Sequence, residues 1–190
     1  MDLGQFKDNT LVFHPGCKQT IHKTWKLRIH IRPSQMKTTS QKKMKGLTVA
    51  GLDLWTKSFD CLLSDQNGQM AFTLFLKSEF CEENIEFWLA CEEFKCVKTK
   101  KTLSSTAVDI YEQFIRNGSP KQINLDFHTR DCTTKNLQNP TPTCFVAAQR
   151  KIFQLMENSA YPRFLQSDFY KELHSMAITT AKKKQRRVLD

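Results

Sequence analysis

The sequence predicts an all-α domain, and three observations carry that prediction. Apolar residues in the middle of the chain recur at the three- and four-residue spacing of a helix face. Outside the N-terminal tail, no stretch shows the strict alternation of a half-buried strand. The composition, 39% hydrophobic and 11% aromatic with 14 Phe among 190 residues, is enough to bury a core. The length fits one domain with tails, or at most two small ones. Only 6 Gly and 6 Pro argue against collagen-like or low-complexity architecture.

The elements follow in order. Leu52, Trp55, Phe59, Leu62 and Leu63 fall at i, i+3, i+7, i+10 and i+11, one stripe of a first helix. Asn67-Gly68 reads as a turn, and residues 70–80 as a second helix. Ile85, Trp88, Leu89 and Phe94 line a third, with Glu82 and Glu83 in its first turn, where the helix dipole favours negative charge. Ser104 or Ser105 caps a fourth, which carries Ala107, Ile110, Tyr111, Phe114 and Ile115 and stops at Asn117-Gly118. Residues 119–126 form no element. Residues 129–138 read as a short helix, broken by Asn139-Pro140-Thr141-Pro142. Phe145, Ala148, Ile152, Phe153 and Met156 mark a long amphipathic helix, Pro162 restarts one near Tyr161, and residues 167–173 form the last. The expected total is seven to nine helices.

The net charge of +10 is unevenly placed. Residues 1–46 carry ten basic side chains against Asp2 and Asp8, and residues 177–190 carry five against Asp190. The middle, 47–176, holds 14 basic and 16 acidic groups and is slightly acidic. Three parts are therefore expected: a basic N-terminal region ending in a polar linker over 33–46, a folded domain at 47–176, and a basic tail at 177–190. Segment 18–32 fits an amphipathic helix with Ile21, Trp25 and Ile29 on one stripe. It fits equally a strand in which Trp25, Leu27, Ile29 and Ile31 alternate. As a helix on an anionic leaflet it would place Lys18, Lys23, Trp25, Lys26, Arg28 and Arg32 at the lipid. The run Lys182-Lys183-Lys184-Gln185-Arg186-Arg187 fits a nuclear-import signal, a second lipid contact or a solvated tail.

Several chemistries find no footing. No apolar run approaches the ~20 residues of a membrane span. No signal peptide or lipidation motif is expected at either end. Seven scattered cysteines with no C-x-x-C pair read as reduced thiols of a cytoplasmic protein. The five histidines show no metal-ligand spacing, and no Gly-rich phosphate loop appears, so no metal and no cofactor are expected. Cys81 sits among Glu79, Glu82 and Glu83, which disfavour a reactive thiolate. Specific nucleic-acid binding is not expected, because the folded part has no aromatic-basic platform. The glutamates at 82, 83, 86, 92 and 93 read first as a solvated acidic face. Within 119–126, Asn124 is either a binding side chain or an Asx turn.

The string from Phe75 through Ser78-Glu79-Phe80-Cys81-Glu82-Glu83-Asn84 to Trp88-Leu89-Ala90-Cys91-Glu92 closely resembles a signature of the regulator of G-protein signalling (RGS) domain. So do Lys121-Gln122-Ile123-Asn124-Leu125-Asp126 and Pro142-Thr143-Cys144-Phe145, the latter running on to Tyr161-Pro162-Arg163-Phe164-Leu165. The likeness covers roughly residues 50–174 and extends to the short basic N-terminal region of the small members. It implies a nine-helix fold with a four-helix bundle at one end. It also implies GTPase-activating activity toward heterotrimeric G-protein α subunits, exerted by a monomer that is not itself an enzyme. A noncatalytic helical adaptor is the alternative. The resemblance implies that Asn124 enters the α-subunit active site and that Glu83 and Asn84 meet the switch backbone. It further implies an apolar contact from Leu155, bracing by Arg163, and flanking contacts from Glu79, Phe80, Cys81, Leu125, Asp126 and Ser159.

Three departures from the family pattern stand out. Cys81 replaces a serine, Gln122 replaces a glutamate, and Ser159-Ala160 stands where an acid and a serine are usual. Lost acceptors facing a switch segment predict a preference for the Gq class over Gi, or weak activity overall. The expected location is the cytoplasm and the inner face of the plasma membrane, with the nucleus left open.

Overall fold

The computed structural model describes Met44 and residues 46–189. Segment 18–32, with its proposed lipid contacts at Lys18, Lys23, Trp25, Lys26, Arg28 and Arg32, lies outside the described residues. Among those described there are nine α-helical segments, in agreement with the expected all-α class. They are α1 (Val49–Trp55), α2 (Phe59–Ser64), α3 (Gln66–Ser78), α4 (Glu83–Lys95), α5 (Lys100–Ile110), α6 (Phe127–Asn136), α7 (Val146–Leu155), α8 (Tyr161–Gln166) and α9 (Asp168–Leu189). Two π-helical turns, Tyr111–Ile115 and Met156–Ala160, prolong α5 and join α7 to α8.

Local chemistry moves several boundaries from where periodicity placed them. The first stripe is two helices, because Ser58 turns its hydroxyl to accept from the Cys61 amide at 3.1 Å and starts α2 afresh. Asn67-Gly68 is not a turn: both lie in the first turn of α3, which Asp65 caps at the Asn67 amide. Gly68 is there for closeness, since a Cβ would stand 2.2 Å from the Leu62 carbonyl oxygen. Thr99, not Ser104 or Ser105, caps α5. Pro162 stands in the first turn of α8, which starts at Tyr161 where the sequence placed it. The π turn before it widens the spiral and joins α7 to α8, so the proline's missing donor falls in a first turn, where it is not needed. The largest correction is at the C-terminus: α9, capped by Ser167 at the Tyr170 amide, continues through the basic run to Leu189.

The core holds two groups of rings. Phe59, Phe72, Phe75, Phe164 and Tyr170 meet at centroid distances of 5.2 to 6.3 Å and tie α2, α3, α8 and α9 together. Phe87, Phe94, Phe114 and Phe145 form the second group, inside the four-helix assembly of α4, α5, α6 and α7. The ends of the domain are clipped by hydrogen bonds: Tyr161 donates to the Trp55 carbonyl (2.7 Å) and Tyr170 to that of Leu52 (3.0 Å). Among the described residues no helix is long and apolar enough to cross a membrane.

Candidate functional site

In the four-helix assembly α7 runs antiparallel to α4: Phe145 at its start meets Phe94 late in α4 (5.0 Å), and Gln149, one turn on, donates to the mid-helix Trp88 carbonyl and to Glu92. Lys151 of α7 reaches Asp126 at the start of α6 (3.6 Å), and Lys121 of the 119–126 loop pairs with Glu86 in the first turn of α4. The starts of α4 and α6 and the ends of α5 and α7 therefore share one end of the bundle. Three loops distant in sequence are gathered there.

The loop at 119–126 is fixed from beneath. Ile123 and Leu125 are 1% and 7% exposed, so Asn124 between them points outward. The Lys121 and Ile123 amides donate to Gln113 and Phe114, and Gln122 accepts from the Gly118 amide at 2.8 Å. Arg130 pins the loop from α6 by donating to Asn117 Oδ1 (2.5 Å) and the Leu125 carbonyl (3.4 Å). The Asn124 amide makes no hydrogen bond within the described chain, so the Asx-turn reading falls. The local capping role belongs to Asp126. Its carboxylate accepts from the Thr129 amide (2.9 Å) and hydroxyl (2.8 Å), which draws its pKa down to about 2.

The second loop closes α3. The Cys81 amide donates back to the Leu76 carbonyl (3.0 Å) and that of Phe80 to Lys77 (3.3 Å), the paired bonds of a Schellman motif. Its left-handed position, usually glycine, is held by Phe80 at φ 57°. The Phe80 ring is 84% exposed, so the fold tolerates local strain while presenting a large apolar side chain to solvent. Phe80→Gly is expected to raise stability by about 1 kcal/mol, read as a higher denaturant midpoint, while weakening partner binding at this end.

Around Phe80 the charges are ordered by one arginine. Arg163 of α8 forks onto Glu79 (3.2 and 2.6 Å) and also donates to the Ser159 carbonyl (2.7 Å) and hydroxyl (2.8 Å). Burial and then Glu79 and Glu83 push the Cys81 thiol up to about 11, so it stays protonated. Burial also raises the pKa of Glu83, helped by Glu82 and Glu86 and opposed by the first-turn amide it accepts from. Asn84 is not poised outward. It is 9% exposed and donates to the Cys81 carbonyl (3.2 Å) and Glu83 (3.1 Å), holding the loop's shape.

An open cleft lies between the 119–126 loop and the third loop region, the end of α7 with the π turn Met156–Ala160, lined by Asn124, Asp126, Lys151, Gln154, Leu155, Asn158 and Ser159. Four residues singled out in the sequence thus meet at one place, and the Arg163 fork connects that place to Glu79 beside Phe80 and Cys81. Leu125 does not join them, being an anchor of the core. Lys151, Gln154, Asn158, Arg130 and the 85% exposed Phe127 were not flagged by sequence. Asn158 and Ser159 sit on the π turn, which helical periodicity has no way to announce. Among the described residues no group of three His, Cys, Asp or Glu could hold a metal ion.

Residues 58–173 match the Regulator of G protein signaling domain family, which spans the three loops. The chain belongs to the RGS family. It is 53% identical over 127 residues to Regulator of G-protein signaling 16 of Sus scrofa, covering 67% of this chain and 64% of that protein. It is 49% identical over 134 residues to Regulator of G-protein signaling 8 of Homo sapiens, covering 70% of this chain and 74% of that one. The chain thus spans slightly less than two thirds of the Regulator of G-protein signaling 16 length. Three of the residues that depart from the RGS pattern have a local structural account. Ser159 offers Arg163 a hydroxyl in place of a carboxylate, Ala160 is buried, and the Gln122 carbonyl is spent on Gly118.

Proposed function

We propose that this chain accelerates GTP hydrolysis by heterotrimeric G-protein α subunits and so attenuates signalling from their receptors. The observation that carries the reading is the exposed, unbonded Asn124 amide on a loop whose neighbours are anchored, beside a cleft that this loop shares with the end of α7 and its π turn. The cleft lining holds no cysteine, histidine or arginine, and the proposed reaction needs none from it. An α subunit brings its own arginine and a glutamine that orients water, yet turns over at only ~10⁻² s⁻¹. A rigid surface that binds the switch segments best in their transition-state geometry lowers the barrier by differential binding. A hundredfold gain needs ~2.7 kcal/mol, within the range of a few preorganised hydrogen bonds. Asn124 would orient the glutamine, Leu155 would make the apolar contact, and Phe80 would flank the switch backbone held by the Glu83–Asn84 turn.

The preference inferred is for Gq over Gi, since Cys81, Gln122 and Ser159 stand where the family pattern has a hydroxyl and acids, and so offer weaker hydrogen-bond acceptors. Single-turnover hydrolysis by purified α subunits of both classes tests activity and preference together. Acceleration of Gq at least several-fold above Gi is expected; equal, strong acceleration of both would refute the preference, and none of either the activity.

The monomer would be brought to its target by segment 18–32 lying on anionic lipid of the inner plasma-membrane leaflet. Lys23→Gln with Lys26→Gln is expected to weaken vesicle sedimentation about 25-fold at ~1 kcal/mol per cation. Binding indifferent to phosphatidylserine content would rule the segment's role out.

A further inference from the structure

Two aromatic rings of the described chain take no part in its core. Every other described Phe, Tyr and Trp is buried in the hydrophobic cluster or packed against it, whereas Phe80 and Phe127 are 84% and 85% exposed. Both stand at the end of the bundle that holds Asn124, beside opposite walls of the cleft. Phe127 follows Asp126 on the wall made by the 119–126 loop. Phe80 follows Glu79, which the Arg163 fork ties to Ser159 on the α7 wall.

Nothing inside the domain asks for a phenylalanine at 127. The Asp126 carboxylate caps α6, and the buried face of that helix is carried by Thr129 and Thr133. Thr129 lies about 200° round the helix from position 127, so the ring points to solvent and away from the core. Its backbone is held all the same: Asp126 accepts from the Thr129 amide and hydroxyl, and Arg130 donates to the Leu125 carbonyl. A large apolar side chain on a fixed backbone suits an interface anchor, because little freedom is left to lose on binding. The adjoining charges favour a protein as the partner. Lys151 stands 3.6 Å from the Asp126 carboxylate, and a nucleic-acid backbone drawn to that lysine would meet the carboxylate as well.

Resting on the α-subunit reading given above, we propose that Phe127 is an affinity-determining anchor of the same face, bracketing the cleft opposite Phe80 and packing on apolar surface of the α subunit outside the contact made by Asn124. A contact made equally before and during hydrolysis changes how readily the complex forms, and leaves the rate within it alone. Single-turnover hydrolysis at varied concentrations of the full chain separates the two. Equilibrium binding to purified Gq- and Gi-class α subunits carrying GDP and aluminium fluoride is measured beside it. Phe127→Ala should raise the half-saturating concentration and the Kd about 10-fold or more, while the rate at saturation changes less than about twofold. Phe127→Leu should recover most of the loss, and both variants should melt within about 3 °C of the wild type. An unchanged half-saturating concentration and Kd would overturn the proposal. So would a loss confined to the rate at saturation, or wild-type self-association that Phe127→Ala abolishes. Binding without acceleration by the wild type would refute the activity alone and leave the Kd to judge Phe127; no binding to either class would refute both.

Discussion

Asn124→Ala is expected to return GTP hydrolysis by a saturated α subunit nearly to its basal rate, a loss of about 100-fold in acceleration. The size of the effect follows from where the residue stands. Its amide makes no bond inside the described chain, so deleting it leaves no orphaned partner. The backbone remains held by buried Ile123 and Leu125, by the Ile123 amide on Phe114, and by Arg130 on the Leu125 carbonyl. Stability should therefore change by less than about 0.5 kcal/mol. What disappears is a preorganised donor and acceptor aimed at the partner, and contacts made in the transition state act on rate rather than on folding. Single-turnover hydrolysis, run beside a thermal melt, reads both. A noncatalytic adaptor would show no acceleration even with Asn124 present and unchanged binding without it. Full acceleration by the folded variant would remove Asn124 from the mechanism.

How far the sequence disclosed this arrangement depends on the kind of signal each residue carries. Helical class was legible because Leu52, Trp55, Phe59, Ile152 and Met156 repeat at helix spacing, and that repeat reflects the burial these residues have. Boundaries were less legible. A turn dipeptide such as Asn67-Gly68 has the same letters whether glycine is needed for a positive φ or, as here, for contact with the Leu62 carbonyl. The C-terminal run read as a tail because five cations suggest solvation, whereas α9 continues through them to Leu189. At the site, Asn124 stood out as a short uncharged side chain in a stretch forming no element. Asp126 and Asn84 stood out only through the family pattern, while the bonds they make, Asp126 capping α6 at the Thr129 amide and Asn84 donating to the Cys81 carbonyl, are set by local geometry. Arg130, Lys151 and Asn158 carried no mark, because their roles depend on which loops the bundle brings to one end.

Phe164→Ala is expected to cost about 3–5 kcal/mol, the largest stability loss of any single truncation considered. Phe164 is fully buried and lies edge-on to Phe72, Phe75 and Tyr170, each at 5.5 Å, with Phe169 at 6.5 Å. Its ring is where α3, α8 and α9 meet, so no single helix can shift to refill the void. For a domain of this size the melting temperature should fall by about 10–20 °C. Phe164→Leu keeps most of the apolar volume and should lose less than half as much. The site shares this foundation. Arg163, one residue earlier on α8, can fork onto Glu79 and hold Ser159 only while α8 sits firmly on α3. Loosening that packing should weaken the connection between the Phe80 loop and the cleft even while the domain stays folded. Acceleration measured well below the lowered melting point should therefore fall several-fold, with Arg163→Lys giving a similar loss at nearly unaltered stability. Were Phe164→Ala to melt lower yet accelerate normally in the cold, the core and the site would be independent, and the Arg163 fork would be ornament rather than support.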